Sequence, residues 1–187
     1  RKKLIQHSLF RLYERDKPGF IYRKVILLKG KRIFVLIAVF TLLILISGSA
    51  SSATLYVKEG GGTGSYENLQ EAVNAASEGD IILVGKGQYS ENVLVNKSLE
   101  ISSTNHNPEK TVITALDPEA PVFHIVSDSV KISGFSIKGA NSTYGIYLDG
   151  VSESNITNNY FSGNWRSIAL NNSHGNILKN NRLESSD

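Results

Sequence analysis

Asp128 and Asp149 each follow a short apolar pair, Phe123-x-Ile125 and Ile146-x-Leu148. If those pairs are equivalent strands on neighbouring coils, the two carboxylates lie about 5 Å apart, the inter-strand spacing of a sheet. Carboxylates so placed can share a Ca²⁺ ion or divide the work of general acid and general base. Asp117, Glu119 and Glu153 complete the acidic set of this region. The competing reading is structural. Aspartate is ordinary at a solvated corner, and Asp149-Gly150 is a turn dipeptide. One repeat further on, Asn171-Asn172 stands where a third carboxylate would be needed. On this basis no catalytic residue is assigned.

The aromatic residues give a stronger hint of a ligand. Tyr144, Tyr147, Tyr160 and Trp165 fall within two repeats. Aromatic rings on one face can stack against sugar rings while neighbouring amides bond hydroxyls, so the partner expected is a polysaccharide or glycan. His106, His124 and His174 are scattered without metal-ligand spacing, and the chain has no Cys and no Met, so no metal site is expected. Asn96-Lys97-Ser98, Asn141-Ser142-Thr143, Asn155-Ile156-Thr157 and Asn171-Asn172-Ser173 are N-glycosylation sequons. Asn155 and Asn171 lie beside core strands and are expected to be the less accessible pair.

The frame that must position these groups is a repeat. Offset by 22 residues, Ile146-Tyr147-Leu148 falls on Ile168-Ala169-Leu170, and Ile156-x-x-Asn159-x-Phe161 falls on Leu178-x-x-Asn181-x-Leu183. A looser copy lies upstream in Phe123-x-Ile125 and Ile132-x-x-Phe135-x-Ile137. Self-similarity at this period marks a stacked repeat architecture. Residues 141–187 hold ten Asn and residues 54–140 hold six. Asparagine tolerates the left-handed backbone of a tight corner, and its amide can bond a stacked copy one coil along. Asn159 and Asn181 are in register for such a ladder.

Charge separates the chain into two parts. Residues 1–53 hold 11 Lys/Arg against 2 Asp/Glu, whereas residues 54–187 hold 9 against 15. The folded part is therefore acidic, which argues against nucleic acid as a partner. Residues 1–32 read as a basic cytoplasmic region. Residues 33–53 pair an apolar run, Ile33 to Ile46, with the small-residue tail Ser47 to Ala53, the parts of a signal segment. Cleavage after Ser51-Ser52-Ala53 is favoured over a retained anchor, which would leave the membrane itself as a partner. Either way residues 54–187 are placed outside the cytoplasm, in the extracellular space, at the cell surface or in the periplasm. The sequence carries no Met at position 1, which reads as a fragment or a processed chain.

Thr54 to Val57 reads as a first strand. The run Glu59 to Gly64 lacks the Lys-Ser/Thr of a phosphate loop and reads as a turn. Ser65 to Ser77 reads as an amphipathic helix, with Leu69, Ala72, Val73 and Ala76 in one stripe, Ser65 as its cap and Gly79 at its end. Short β runs follow at Ile81–Val84, Val93–Val95, Leu99–Ile101 and Thr111–Thr114, with a polar loop from Ser102 to Lys110. Strands this short, with no second helix, fit neither a sandwich nor a βαβ fold. They fit strands that pair only with their equivalents one coil away.

The stretch Tyr66 to Val84 resembles the opening of right-handed parallel β-helix proteins of the pectin-lyase-like superfamily, in which a helix caps the first coil and Gly79-Asp80 leads into a strand. Gly87-Gln88-Tyr89-Ser90-Glu91-Asn92-Val93 is similar to the segment that follows. Ile132 to Ile137, Gly145 to Leu148 and Asn155 to Asn159 resemble the repeats of NosD-type periplasmic proteins and of surface proteins. The resemblance covers residues 54–187. It implies an all-β fold, a right-handed parallel β-helix with an N-terminal amphipathic capping helix, preceded by a signal or transmembrane segment. For function it implies an exported binding or adhesion module. The alternative it carries is a lyase, hydrolase or epimerase acting on uronic-acid polymers. The lyases of the superfamily use carboxylate-bound Ca²⁺ with an Arg or Lys base, which makes Asp128, Asp149 and Arg166 the catalytic candidates. No other cofactor is expected. A weaker alternative is a maturation factor for a metalloprotein. Four to five coils fit, and the last has no following sequence to cap it, so the natural protein is expected to continue.

Overall fold

The computed structural model describes residues 51–184, so of the leader and anchor expected over residues 1–53 all but the last three residues lie outside them. Strand β1 (Thr54–Val57) leads to helix α1 (Leu69–Ala75). A first turn then runs β2 (Ile81–Val84), β3 (Gly87–Ser90) and β4 (Val93–Val95). The second is β5 (Glu100–Ser103), β6 (Thr111–Thr114) and β7 (Phe123–Ile125), and the third is β8 (Lys131–Ser133), β9 (Ser136–Lys138) and β10 (Tyr144–Asp149). The fourth is β11 (Asn155–Thr157), β12 (Tyr160–Ser162) and β13 (Arg166–Asn171), and the fifth holds β14 (Ile177–Lys179) and β15 (Arg182–Leu183).

Every strand pairs in parallel with its counterpart one turn away. Three sheets result, in the orders β1-β2-β5-β8-β11-β14, β3-β6-β9-β12-β15 and β4-β7-β10-β13. This is a parallel β-solenoid of the right-handed type with about five turns. The expected register is found: Ile146, Tyr147 and Leu148 pair with Ile168, Ala169 and Leu170, and Ile156 pairs with Leu178.

The reason lies in which residues stack. Ile82, Ile101, Ile132 and Ile156 form one inward column, and Tyr89, Ile113, Ile137 and Phe161 form a second. Phe123, Ile146 and Ile168 continue from Val93 in a third. Ile82, Ile101, Ile132, Ile156 and Phe161 are fully buried, whereas Leu178 and Leu183 of the fifth turn are 45 and 58 % exposed. A turn buries its apolar face only against its neighbours, as in other solenoids.

The helix is shorter than its sequence suggests and is held differently. It starts after Asn68, whose side chain makes no capping bond, and not at Ser65. Glu91 takes the capping role from 22 residues away, accepting the N–H groups of Leu69 at 2.7 Å and Gln70 at 2.9 Å. At the other end Lys97 Nζ donates to the carbonyls of Val73, Asn74 and Ala76 at 2.7–2.9 Å. Anion at the N-terminus and cation at the C-terminus both complement the helix dipole. Leu69, Ala72 and Val73 face inward against β1, β2 and β4. The helix ends at Ala75, and Gly79 serves instead as a positive-φ residue of the link to β2.

Two other boundaries moved. Ser102 and Ser103, read as loop, belong to β5, where Ser103 Oγ pairs with Thr111 Oγ1 at 2.9 Å in the interior. Gly87 to Ser90, not among the strands read from the sequence, forms β3.

Candidate functional site

The outer face of the sheet β4-β7-β10-β13 carries the site. Inward Phe123, Ile125, Ile146 and Leu148 alternate with outward His124 and Tyr147, and the ladder sets His124 directly beside Tyr147. Their rings stack at 5.2 Å with 25° between planes. Strict alternation would send Tyr144 to the opposite side of the strand from Tyr147. Gly145 breaks the alternation. It and Ile146 are both buried, and a Cβ at Gly145 would meet Ser167 O at 2.7 Å and the Phe161 ring at 2.8 Å. Tyr144 thereby emerges beside Tyr147, with centroids 5.0 Å apart. Trp165 follows at 5.8 Å from Tyr144, and the Arg166 guanidinium lies 4.4 Å from the Trp165 ring. Four rings thus form a continuous band, ending at a tryptophan that is 51 % exposed.

Polar groups border the band. Asp149 Oδ1 accepts from Asn171 Nδ2 at 3.0 Å, on the rung that pairs these two residues. Its Oδ2 lies 3.5 Å from His124 Nε2, close enough for charge attraction but long for a hydrogen bond. That nitrogen is shielded from solvent and has no hydrogen-bond partner among the described residues. The Asn171 hydrogen bond, helped by His124 and Tyr147 and opposed by partial desolvation, holds the Asp149 carboxyl below its ordinary value. The band therefore presents apolar ring faces with a carboxylate, a carboxamide and a guanidinium at its edges.

Of the sequence-derived ligand residues, Tyr144, Tyr147 and Trp165 come together and Tyr160 does not. Tyr160 is on β12, in a different sheet, with its ring 5.1 Å from the Arg182 guanidinium and its hydroxyl bonded to Glu184. It lines a separate groove of about 680 Å³ with His106, Glu109, Asn158, Asn180 and Arg182. Asp128 and Asp149 do not share a rung. The ladder pairs Leu148 with Ile125, so Asp149 lies level with the residue after Ile125, and Asp128 is two places further along. There Asp128 accepts from Ser152 N at 2.6 Å and Ser152 Oγ at 3.0 Å, which holds its carboxyl below the ordinary range. Each carboxylate has its own partners, and Arg166 is engaged on Trp165. Asp117 accepts from Glu119 N in a local turn at 2.9 Å, and Glu153 sits at positive φ in an exposed corner.

Sequence reasoning passed over His124 as one scattered histidine. The signal was present: His124 occupies the middle position of Phe123-x-Ile125, as Tyr147 does in Ile146-x-Leu148. His106 and His174 are exposed elsewhere.

Comparison with known proteins places this geometry in context. A family model described as periplasmic copper-binding protein (NosD) matches residues 73–187. A cell surface glycoprotein of Methanothermus fervidus is 34 % identical over 176 residues, covering 76 % of this chain and 29 % of that protein. Two crystal structures of the pectin methylesterase from Aspergillus niger, in deglycosylated forms, are similar with TM-scores of 0.47 and 0.46. Both show 15 % identity and cover 72 % of this chain and 60 % of that one.

Proposed function

The chain belongs to the NosD family, and we propose from the geometry of its aromatic band that it binds carbohydrate along His124, Tyr147, Tyr144 and Trp165. The protein is an exported β-helix protein of the cell surface or periplasm. The observation that carries the binding reading is the unbroken contact of four rings at 5.0–5.8 Å across three turns. Rings so arranged offer apolar faces to successive sugar rings, and Asp149, Asn171 and Arg166 stand where hydroxyls or a sugar carboxylate would project. In this reading α1 closes the first turn, and residues 33–53 carry the chain out of the cytoplasm.

Copper, named in the family's description, finds no fitting donor set. Among the described residues no three of His, Cys, Asp and Glu converge, and the chain has neither Cys nor Met. The His124–Asp149 pair supplies only two donors.

The test is binding of the full chain to a panel of soluble polysaccharides by affinity electrophoresis. Trp165→Ala and Tyr144→Ala are expected to weaken retention about tenfold each, roughly 1.4 kcal/mol for an aromatic anchor. Tyr160→Ala is expected to leave it unchanged. Equal losses in all three variants, or none, would reject the band as the site. Release of unsaturated or reducing sugar, lost in Asp149→Ala, would replace binding with catalysis.

A further inference from the structure

Four Asn-x-Ser/Thr triplets fall in the β-helix, and the fold treats them unequally. Asn155 begins β11, and its rung pairs it with Lys131 on one side and Ile177 on the other. Asn171 closes β13 with its amide bonded to Asp149. The third residue of its triplet, Ser173, is also engaged: its Oγ accepts from Val151 N at 3.0 Å and lies 2.8 Å from Asn171 O. At Asn96 the asparagine is exposed, but the two residues after it are tied down. Lys97 holds three carbonyls of α1, Ser98 N donates to Glu78 at 2.6 Å, and Ser98 Oγ donates to Ser129 O at 3.4 Å.

Asn141-Ser142-Thr143 is different. It forms a turn closed by Thr143 N to Ala140 O at 3.1 Å, with Asn141 and Ser142 exposed. No hydrogen bond among the described residues engages any of its three side chains.

We propose that Asn141 is an N-glycosylation acceptor, and that it is the one sequon of the four that the folded domain offers to a transferase. The donor is a lipid-linked oligosaccharide. The Asn141 Nδ2 attacks the anomeric carbon, and the N–C bond forms as the bond from that carbon to the polyprenyl phosphate oxygen breaks. The phosphate leaves with the electron pair, and the amide proton passes to a base of the transferase. The transferase must seat the asparagine and the hydroxyl residue two places on together. At Asn155 that requires parting strands on both sides, and at Asn171 and Asn96 it requires breaking side-chain bonds within the triplet. At Asn141 no side-chain bond among the described residues has to break: the triplet is held by backbone bonds alone, Thr143 N to Ala140 O, Ser142 N to Pro118 O at 3.2 Å and Arg166 N to Thr143 O at 3.1 Å, and the bulk of a glycan projects into solvent.

The proposal stands apart from the carbohydrate-binding reading, since no ring of the band takes part in transfer and Trp165→Ala is expected to leave it unaltered. The folded full chain and, separately, its proteolytic digest are incubated with membranes carrying an oligosaccharyltransferase and its polyprenol-linked oligosaccharide. Glycopeptides are then located by mass spectrometry. The folded chain is expected to gain a glycan at Asn141 alone, and the digest to gain glycans at Asn155 and Asn171 as well. Thr143→Ala should abolish the Asn141 product and Thr143→Ser should retain it. The proposal fails if the folded chain is modified at Asn96, Asn155 or Asn171 as readily as at Asn141. It fails equally if Asn141 stays unmodified in the folded chain, whether or not the digest accepts there.

Discussion

At the scale of single residues, one side chain does the same job four times. Asn159 accepts from Phe135 N at 3.0 Å and donates to Ile132 O at 3.0 Å. Asn164 does this with Ala140 and Ile137, Asn176 with Ser154 and Val151, and Asn181 with Asn159 and Ile156. Each satisfies the backbone of a corner that has too few residues to satisfy itself. Asn159 is 1 % exposed, so Asn159→Ala orphans one N–H and one carbonyl. At ~1–3 kcal/mol for each buried group left unpaired, the expected loss is on the order of 2–4 kcal/mol, read as a lower urea midpoint at unchanged m-value. Only Asn159 and Asn181 were legible in the sequence as such a pair, because they recur within a shared apolar pattern. Asn164 and Asn176 bond backbone alone, and backbone leaves no trace in residue identity. Acid sensitivity also belongs to this scale. Hydrogen bonds from Ser77 N and Ala53 N hold the Asp80 carboxyl below the ordinary value near 3.9. A group depressed in the folded state stabilises fully above its unfolded pKa, and the contribution is lost as pH falls through the lower folded value. Urea midpoints should therefore drop below about pH 4, and Asp80→Asn should flatten that drop.

At the scale of elements, α1 shows a local signal overruled by distant residues. Leu69, Ala72 and Val73 of the apolar stripe are the residues that α1 (Leu69–Ala75) buries. Its start could not be read nearby, because the groups that fix both ends, Glu91 and Lys97, arrive from the next turn. Glu91→Ala removes the acceptor for two N–H groups and should cost about 1–2 kcal/mol, with faster hydrogen exchange at Leu69 and Gln70 than elsewhere in the domain. Strand β10 makes the complementary point. The sequence pattern groups Tyr144, Tyr147, Tyr160 and Trp165, of which Tyr160 lies in another sheet, and alternation alone cannot set Tyr144 and Tyr147 on one side. Gly145 does so, where the chain has no room for a side chain. Gly145→Ala is expected to destabilise by about 1–3 kcal/mol and to weaken glycan retention with it, separable by thermal melting and affinity electrophoresis on the same sample.

At the scale of the whole molecule, stability is a sum over neighbouring turns. The 22-residue offset between the fourth and fifth turns allows a direct test. Deleting residues 155–176 brings β14 onto β8, with Leu178 over Ile132 and Asn181 in the place of Asn159. That variant should still fold, with a lower melting temperature and the same far-ultraviolet circular dichroism per residue. Removing one residue fewer puts every side chain of the incoming strand on the wrong face and should leave that last turn unprotected from hydrogen exchange while the earlier turns stay folded.

The asparagine contacts have a direction. Asn159, Asn164, Asn176 and Asn181 each reach back to the earlier turn, as Lys97 and Glu91 reach back to α1, whereas Asn92 reaches forward to Asp117, Ala120 and Pro121. A chain that leaves a membrane amino end first therefore meets its partners in the order it appears. Each turn, on emerging, finds beneath it a finished template whose free corner groups await its amide. Assembly in that order is ratchet-like, since each completed turn fixes the template on which the next one closes.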